Sequence, residues 1–282
     1  MVTTSLRTYR YLRIALGGMI IVIFVSVAIV AIGRGELGGS ISGYYYTPAR
    51  SAFVGALIAA AIALLALSGH RAERALLDGA GLLAPLIAVV ATPIRDVAAC
   101  GSEATCVPEG NIPGIENGVL TFLIIGTAGW LTVVVLLLAR KVELRVAGIS
   151  LAVAAVILAV VAGLWFFARP VFLSTVHFGA AAIFFLLIGT IAVLHLRGRD
   201  DSPDPAQWMK IIYGVVGIGM AVVVVLAAVA VIIQRLDPDA GLALPVPPVL
   251  ACEVAALVLF LVFWVVQSIQ RWDDERAPAL AA

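Results

Sequence analysis

Eight apolar stretches, each long enough to cross roughly 30 Å of hydrocarbon, dominate this 282-residue chain. They cover residues 14–32, 51–69, 75–94, 117–139, 146–168, 170–196, 211–234 and 248–270. In a bilayer each backbone N–H and C=O must be satisfied inside its own segment, so stretches of this kind are helices. Strands of a barrel would alternate apolar and polar residues, and these do not. The connections are too short to hold a separate soluble domain. The expected fold is therefore all-α, a single polytopic transmembrane helix bundle over residues 1–282 with eight spans. Composition closes the alternative. Charged residues make up 12% and hydrophobic ones 63%, with a mean hydropathy of +1.13, whereas soluble domains carry about 25% charged residues. A net charge of +1 supplies no basic face for several phosphates, so nucleic acid is not an expected partner.

The basic residues orient the bundle. With the N-terminus cytoplasmic, thirteen of the 18 Lys and Arg fall in inside segments, and only Arg34, Arg50, Arg95, Arg169 and Arg235 remain outside. This is the bias that short loops show in membrane proteins, and it puts both termini in the cytoplasm. Cys100 and Cys106 share the third-to-fourth connection, on the outer side where disulfides persist. Closing so short a loop contributes about 2 kcal/mol on a chain-entropy basis; two unpaired thiols are the alternative. The first stretch follows Arg7, Arg10 and Arg13 and so has the flank of a signal peptide, but at 19 residues it is longer than a usual signal core and reads as a retained helix. No internal repeat divides the chain, which weakens a transporter built on inverted repeats.

Ionisable side chains inside lipid cost a few kcal/mol, which makes each a functional hypothesis. Asp78, His177, His195 and Glu253 are the candidates. Asp78 follows Arg74 by four residues and is accounted for by a helix-surface ion pair. His195 and His70 sit at the cytoplasmic interface, within reach of water. Two groups remain. His177 lies about 10 Å and Glu253 about 8 Å into helices that start on the outer side, at 1.5 Å per residue. The first outer connection adds Ser40, Ser42, Tyr44, Tyr45, Tyr46, Thr47 and Arg50 at the same level. An interfacial aromatic belt explains tyrosines alone, but not the serines and arginine beside them. Arg50, Arg95 and Arg169 are candidate partners for Glu253. The charges of 197–204 and 271–276 read as solvated cytoplasmic faces.

The stretch SISGYYYTPARSAFVG, a span ending in Thr-Pro, the isolated His of STVHFGAAAIFF and the Glu that opens CEVAALVLFLVFW resemble a family of uncharacterised bacterial multispan membrane proteins, distantly similar to DRAM-like membrane proteins. The resemblance covers about half the chain and is carried mainly by the Ser-Tyr-Thr-Arg stretch. Members usually have about six spans, against eight here. The family implies no reaction.

The chemistry therefore points to a binding or accessory membrane protein. Its outward pocket, formed by Ser40, Ser42, Tyr44, Tyr45, Tyr46, Thr47, Arg50, Arg95, His177 and Glu253, accommodates a lipid headgroup or a partner subunit, which includes a second copy of the chain. Arginine forks suit phosphate or carboxylate, and tyrosines suit an apolar wall. A transporter or channel is the alternative. An intramembrane zinc hydrolase is disfavoured, since His177 and His195 are about 27 Å apart on one helix and zinc requires at least three protein ligands at about 2 Å. No metal or cofactor is expected. Sixteen arginines against two lysines suggest a high-GC bacterium, and the expected location is its cytoplasmic membrane.

Overall fold

The structure is a computed structural model and describes residues 4–67, 71–95, 100–101, 105–197, 204–236 and 245–272. His70, Arg199 and Arg276 lie outside the described residues. Among the described residues eight α-helices follow one another: α1 (Thr4–Arg34), α2 (Arg50–Ala66), α3 (Arg71–Val89), α4 (Ile112–Leu138), α5 (Leu144–Phe167), α6 (Arg169–Leu196), α7 (Gln207–Leu236) and α8 (Pro248–Gln270). No strand occurs among the described residues; a lone bridge pairs Ile94 with Cys106. Six helices, α1 and α4 to α8, are long and apolar enough to cross a membrane, the build of a multi-pass membrane protein. Helix α2 is equally apolar but has 17 residues. Helix α3 carries Glu73, Arg74 and Asp78 in its first half.

Helix α1 starts ten residues before the apolar stretch that marks it. Its buried residues explain the extension. Leu6, Tyr9, Arg13, Leu16, Ile20, Ile23, Val27 and Ala31 are all buried at spacings of three or four, which is one stripe of a helix. The opposite face exposes Ile14, Ile21, Val25, Ile29 and Ile32, an arrangement that only an apolar solvent tolerates. Helix α3 ends at Val89 and not at residue 94. Pro93 disfavours helical backbone at Thr92, and the chain turns out to the Ile94–Cys106 bridge. Cys100 and Cys106 stand there at disulfide distance, with Cα atoms 5.4 Å apart.

Helix α1 packs on α2, α2 on α3, α3 on α6, α6 on α7, α7 on α8, and α8 returns to α1. The result is a closed ring, with the α4–α5 hairpin outside it against α3. The two described chain ends meet, since Arg10 Nε donates to the Trp272 carbonyl at 2.8 Å. We call this the terminal end of the bundle and the opposite one the far end. Helices α6 and α7 approach closely through Gly189 and Gly217. A Cβ on Gly217 would lie 2.6 Å from Val193 Cγ2 and 3.2 Å from the Gly189 carbonyl oxygen, and a β-branched side chain on a helix has little freedom to yield. Gly217→Ala is expected to destabilise the bundle by about 1–3 kcal/mol, read as a lowered midpoint of unfolding in detergent, whereas Gly55→Ala, with open space around its Cβ, leaves the midpoint unchanged.

Candidate functional site

At the far end, the chain between α1 and α2 folds into a 3-10 turn over Ser42–Tyr46. Its side chains hold the turn from within. Ser40 Oγ accepts the Gly43 N–H at 2.8 Å, Tyr44 Oη accepts the Gly38 N–H at 3.0 Å, and Thr47 Oγ1 donates to the Tyr44 carbonyl at 2.7 Å. Tyr46 Oη donates to the Thr92 carbonyl at 2.8 Å and so ties the turn to the segment that follows α3. Burial pushes the Tyr45 and Tyr46 hydroxyls above their ordinary pKa, against the pull of Arg50, so both remain neutral. The turn is latched to α8 by Glu253. Its carboxylate accepts the Ile41 N–H, the Ser42 N–H at 3.3 Å and the Ser42 hydroxyl.

Glu253 makes no ion pair among the described residues, so Arg50, Arg95 and Arg169 are not its partners. Arg50 faces the other side of α2, where it donates to Tyr45 Oη at 2.6 Å and lies 4.2 Å from that ring's centre. Arg95 donates to the Gln234 carbonyl at 2.8 Å, and Arg169 pairs with Glu116 at 3.0 Å. The physical reason is the latch itself, since two backbone donors and a hydroxyl reach the carboxylate before any arginine does.

The ten residues expected to form one pocket divide among three places. Ser40, Tyr44, Tyr46, Thr47 and Arg95 line an open groove of about 600 Å³, together with Arg34, Glu36, Thr92 and Arg235. Ser42, His177 and Glu253 lie beneath the turn on a separate cavity of about 80 Å³ inside the ring. Tyr45 and Arg50 flank a depression of about 370 Å³ beside Gly114 on α4. The groove carries the charge. Among the described residues, three arginines and one carboxylate, Glu36, line it, the arginines drawn from the ends of α1 and α7 and the segment after α3. Arg235 spends one guanidinium nitrogen on the Ser174 carbonyl at 2.7 Å, and Arg34 forms no hydrogen bond or ion pair among the described residues. Forked guanidiniums at a groove rim suit an oxyanion.

The terminal end holds a polar layer that the sequence reading assigned to the surface. His195 is 1% exposed and Arg271 6%, so neither is solvated. Glu73 Oε2 accepts Arg271 Nη2 at 2.9 Å. The Gln267 amide nitrogen donates to Glu73 Oε1 at 3.2 Å and lies 2.7 Å from His195 Nε2, while its oxygen accepts Arg13 Nη1 at 2.9 Å. His195 Nε2 also stands 3.4 Å from Glu73 Oε1, so the imidazole, the amide and the carboxylate meet at one point. Arg13, 3% exposed, also donates to Tyr9 Oη and lies over the Tyr9 and Trp264 rings. His195 stacks on Tyr213 with ring centres 5.2 Å apart. The layer joins α1, α3, α6, α7 and α8. Helical spacing is the signal that finds it: Arg13 falls on the buried stripe of α1, and His195 follows His177, Ala180, Phe184, Ile188 and Ile191 on that of α6.

No group of three His, Cys, Asp or Glu side chains among the described residues is close enough to hold a metal ion. No family model, curated protein or solved structure matches the chain, so the functional argument rests on the geometry of these sites.

Proposed function

We propose that the chain is a lipid-binding protein of a bacterial cytoplasmic membrane, with eight spans and both termini in the cytoplasm, and that its far-end groove holds an anionic phospholipid headgroup. The orientation is supported by the concentration of Lys and Arg in the connections at the terminal end. In that orientation the groove faces outward at the level of lipid headgroups. The convergence of Arg34, Arg95 and Arg235 on one groove of about 600 Å³ carries the reading. Phosphate is held there by charge-assisted bonds from arginine forks, the Tyr46 ring and Thr92 supply a mixed wall, and Phe178 and Val231 continue the lining toward the acyl chains.

Lipid extracted from the purified protein is expected to be enriched in anionic phospholipid over the membrane it came from, and Arg95→Ala combined with Arg235→Ala removes the enrichment. Arg50→Ala, on the other side of α2, leaves it unchanged. Bulk lipid composition in the wild type, or equal loss from Arg50→Ala, counts against the groove.

A further inference from the structure

The cavity beneath the turn is chemically unlike the groove above it. It lies inside the ring, walled by α1, α2, α3, α6 and α8, and its surface is almost wholly apolar, with Phe53, Phe184, Phe185 and Phe260 among the lining side chains. Three polar residues reach it, and none of them has a donor to spare. The Ser42 hydroxyl and N–H are both given to Glu253. His177 is 2% exposed; its Nδ1–H donates to the Val90 carbonyl at 2.6 Å, which leaves Nε2 as a lone-pair acceptor. That Nε2 is buried with no partner among the described residues. The Glu253 carboxylate retains acceptor capacity on Oε1, which takes only the Ser42 hydroxyl, and it forms no ion pair among the described residues. Glu253 is only half-buried, and a charge drawn partly out of water gains from a cationic partner.

An occupant matched to these walls donates hydrogen bonds, carries positive charge and is otherwise apolar. The phenylalanine faces add to the same preference, since aromatic faces attract ammonium groups. Size narrows it further. At roughly 10–15 Å³ for each water-sized group, a cavity of about 80 Å³ holds about five to eight such groups. We infer that this cavity is a binding site for a small primary ammonium compound with an apolar body, its ammonium shared between Glu253 and His177 Nε2. The site is distinct from the headgroup groove, from which the Ser42–Tyr46 turn separates it.

Cyclopentylamine, with six heavy atoms and protonated at pH 7.5, is the probe, and cyclopentanol is its neutral counterpart of the same shape. Titrated calorimetrically into the detergent-purified protein, the amine is expected to bind at least ten-fold more tightly than the alcohol. Glu253→Gln lowers amine affinity to that of the alcohol. The glutamine amide oxygen can still accept the Ile41 and Ser42 N–H groups, so the variant folds. Ala181→Leu fills the cavity without touching Glu253 and abolishes binding of both probes. The inference is overturned if the alcohol binds as well as the amine, if Glu253→Gln leaves amine affinity intact, if Ala181→Leu has no effect, or if the amine does not bind at all, as when the cavity holds only water.

Discussion

Replacing Glu73 with alanine is expected to lower stability by about 3–5 kcal/mol, the usual cost of removing one member of a buried ion pair. The carboxylate is 5% exposed and neutralises Arg271 at 2.9 Å while accepting the Gln267 amide. Its loss leaves the Arg271 guanidinium charged in a medium with little water. Gln267 then loses an anchor while still bridging Arg13 and His195. Because the layer joins five helices, its failure loosens the terminal end as a unit. Reversible unfolding in mixed detergent micelles reads the effect. Glu73→Ala combined with Arg271→Met recovers part of the loss, since a buried pair exchanged for apolar groups is often close to neutral. A single variant within about 1 kcal/mol of wild type would mean that the layer contributes little to the bundle.

A comparable effect is expected at the opposite end for Glu253→Ala. Ile41 and Ser42 are 3% and 7% exposed, and both give their N–H groups to this carboxylate, with the Ser42 hydroxyl as a third donor. Stranding three buried donors costs roughly 1–3 kcal/mol each, so a loss of about 3 kcal/mol or more follows. The functional consequence is larger than the structural one. The latch holds the turn that presents Ser40, Tyr44, Tyr46 and Thr47 to the groove, so phospholipid enrichment falls together with stability. Glu253→Gln keeps an acceptor oxygen for the two N–H groups and retains both properties. Thermal unfolding and lipid extraction on the same preparations separate these outcomes; equal behaviour of the alanine and glutamine variants contradicts the latch.

The helical class is legible in hydropathy alone, because a chain with 12% charged residues has no other way to satisfy its backbone in lipid. The polar stretch before α2 is equally legible as an unusual segment. How its residues divide is not. On a 3-10 turn, nearby side chains such as Ser42, Tyr44 and Tyr45 point to different sides, so residues close in sequence line the inner cavity, the groove and the α2 flank separately. The partner of Glu253 is also hidden from residue identity, since backbone N–H groups of Ile41 and Ser42 do the pairing. The terminal layer was within reach of a periodic reading. Depth counted from a helix end makes His195 interfacial, whereas its position on the stripe of His177, Phe184 and Ile188 buries it. Gln267 carries no charge and so escapes a search for ionisable groups, although it is the hub of the layer.

The groove is tested most directly by native mass spectrometry of the protein released from nanodiscs containing equal phosphatidylglycerol and phosphatidylcholine. Wild type is expected to retain phosphatidylglycerol preferentially, with at least ten-fold weaker retention in the triple variant Arg34→Ala, Arg95→Ala, Arg235→Ala. Equal retention of the two lipids by wild type, or a triple variant indistinguishable from it, contradicts an anionic headgroup site in the groove.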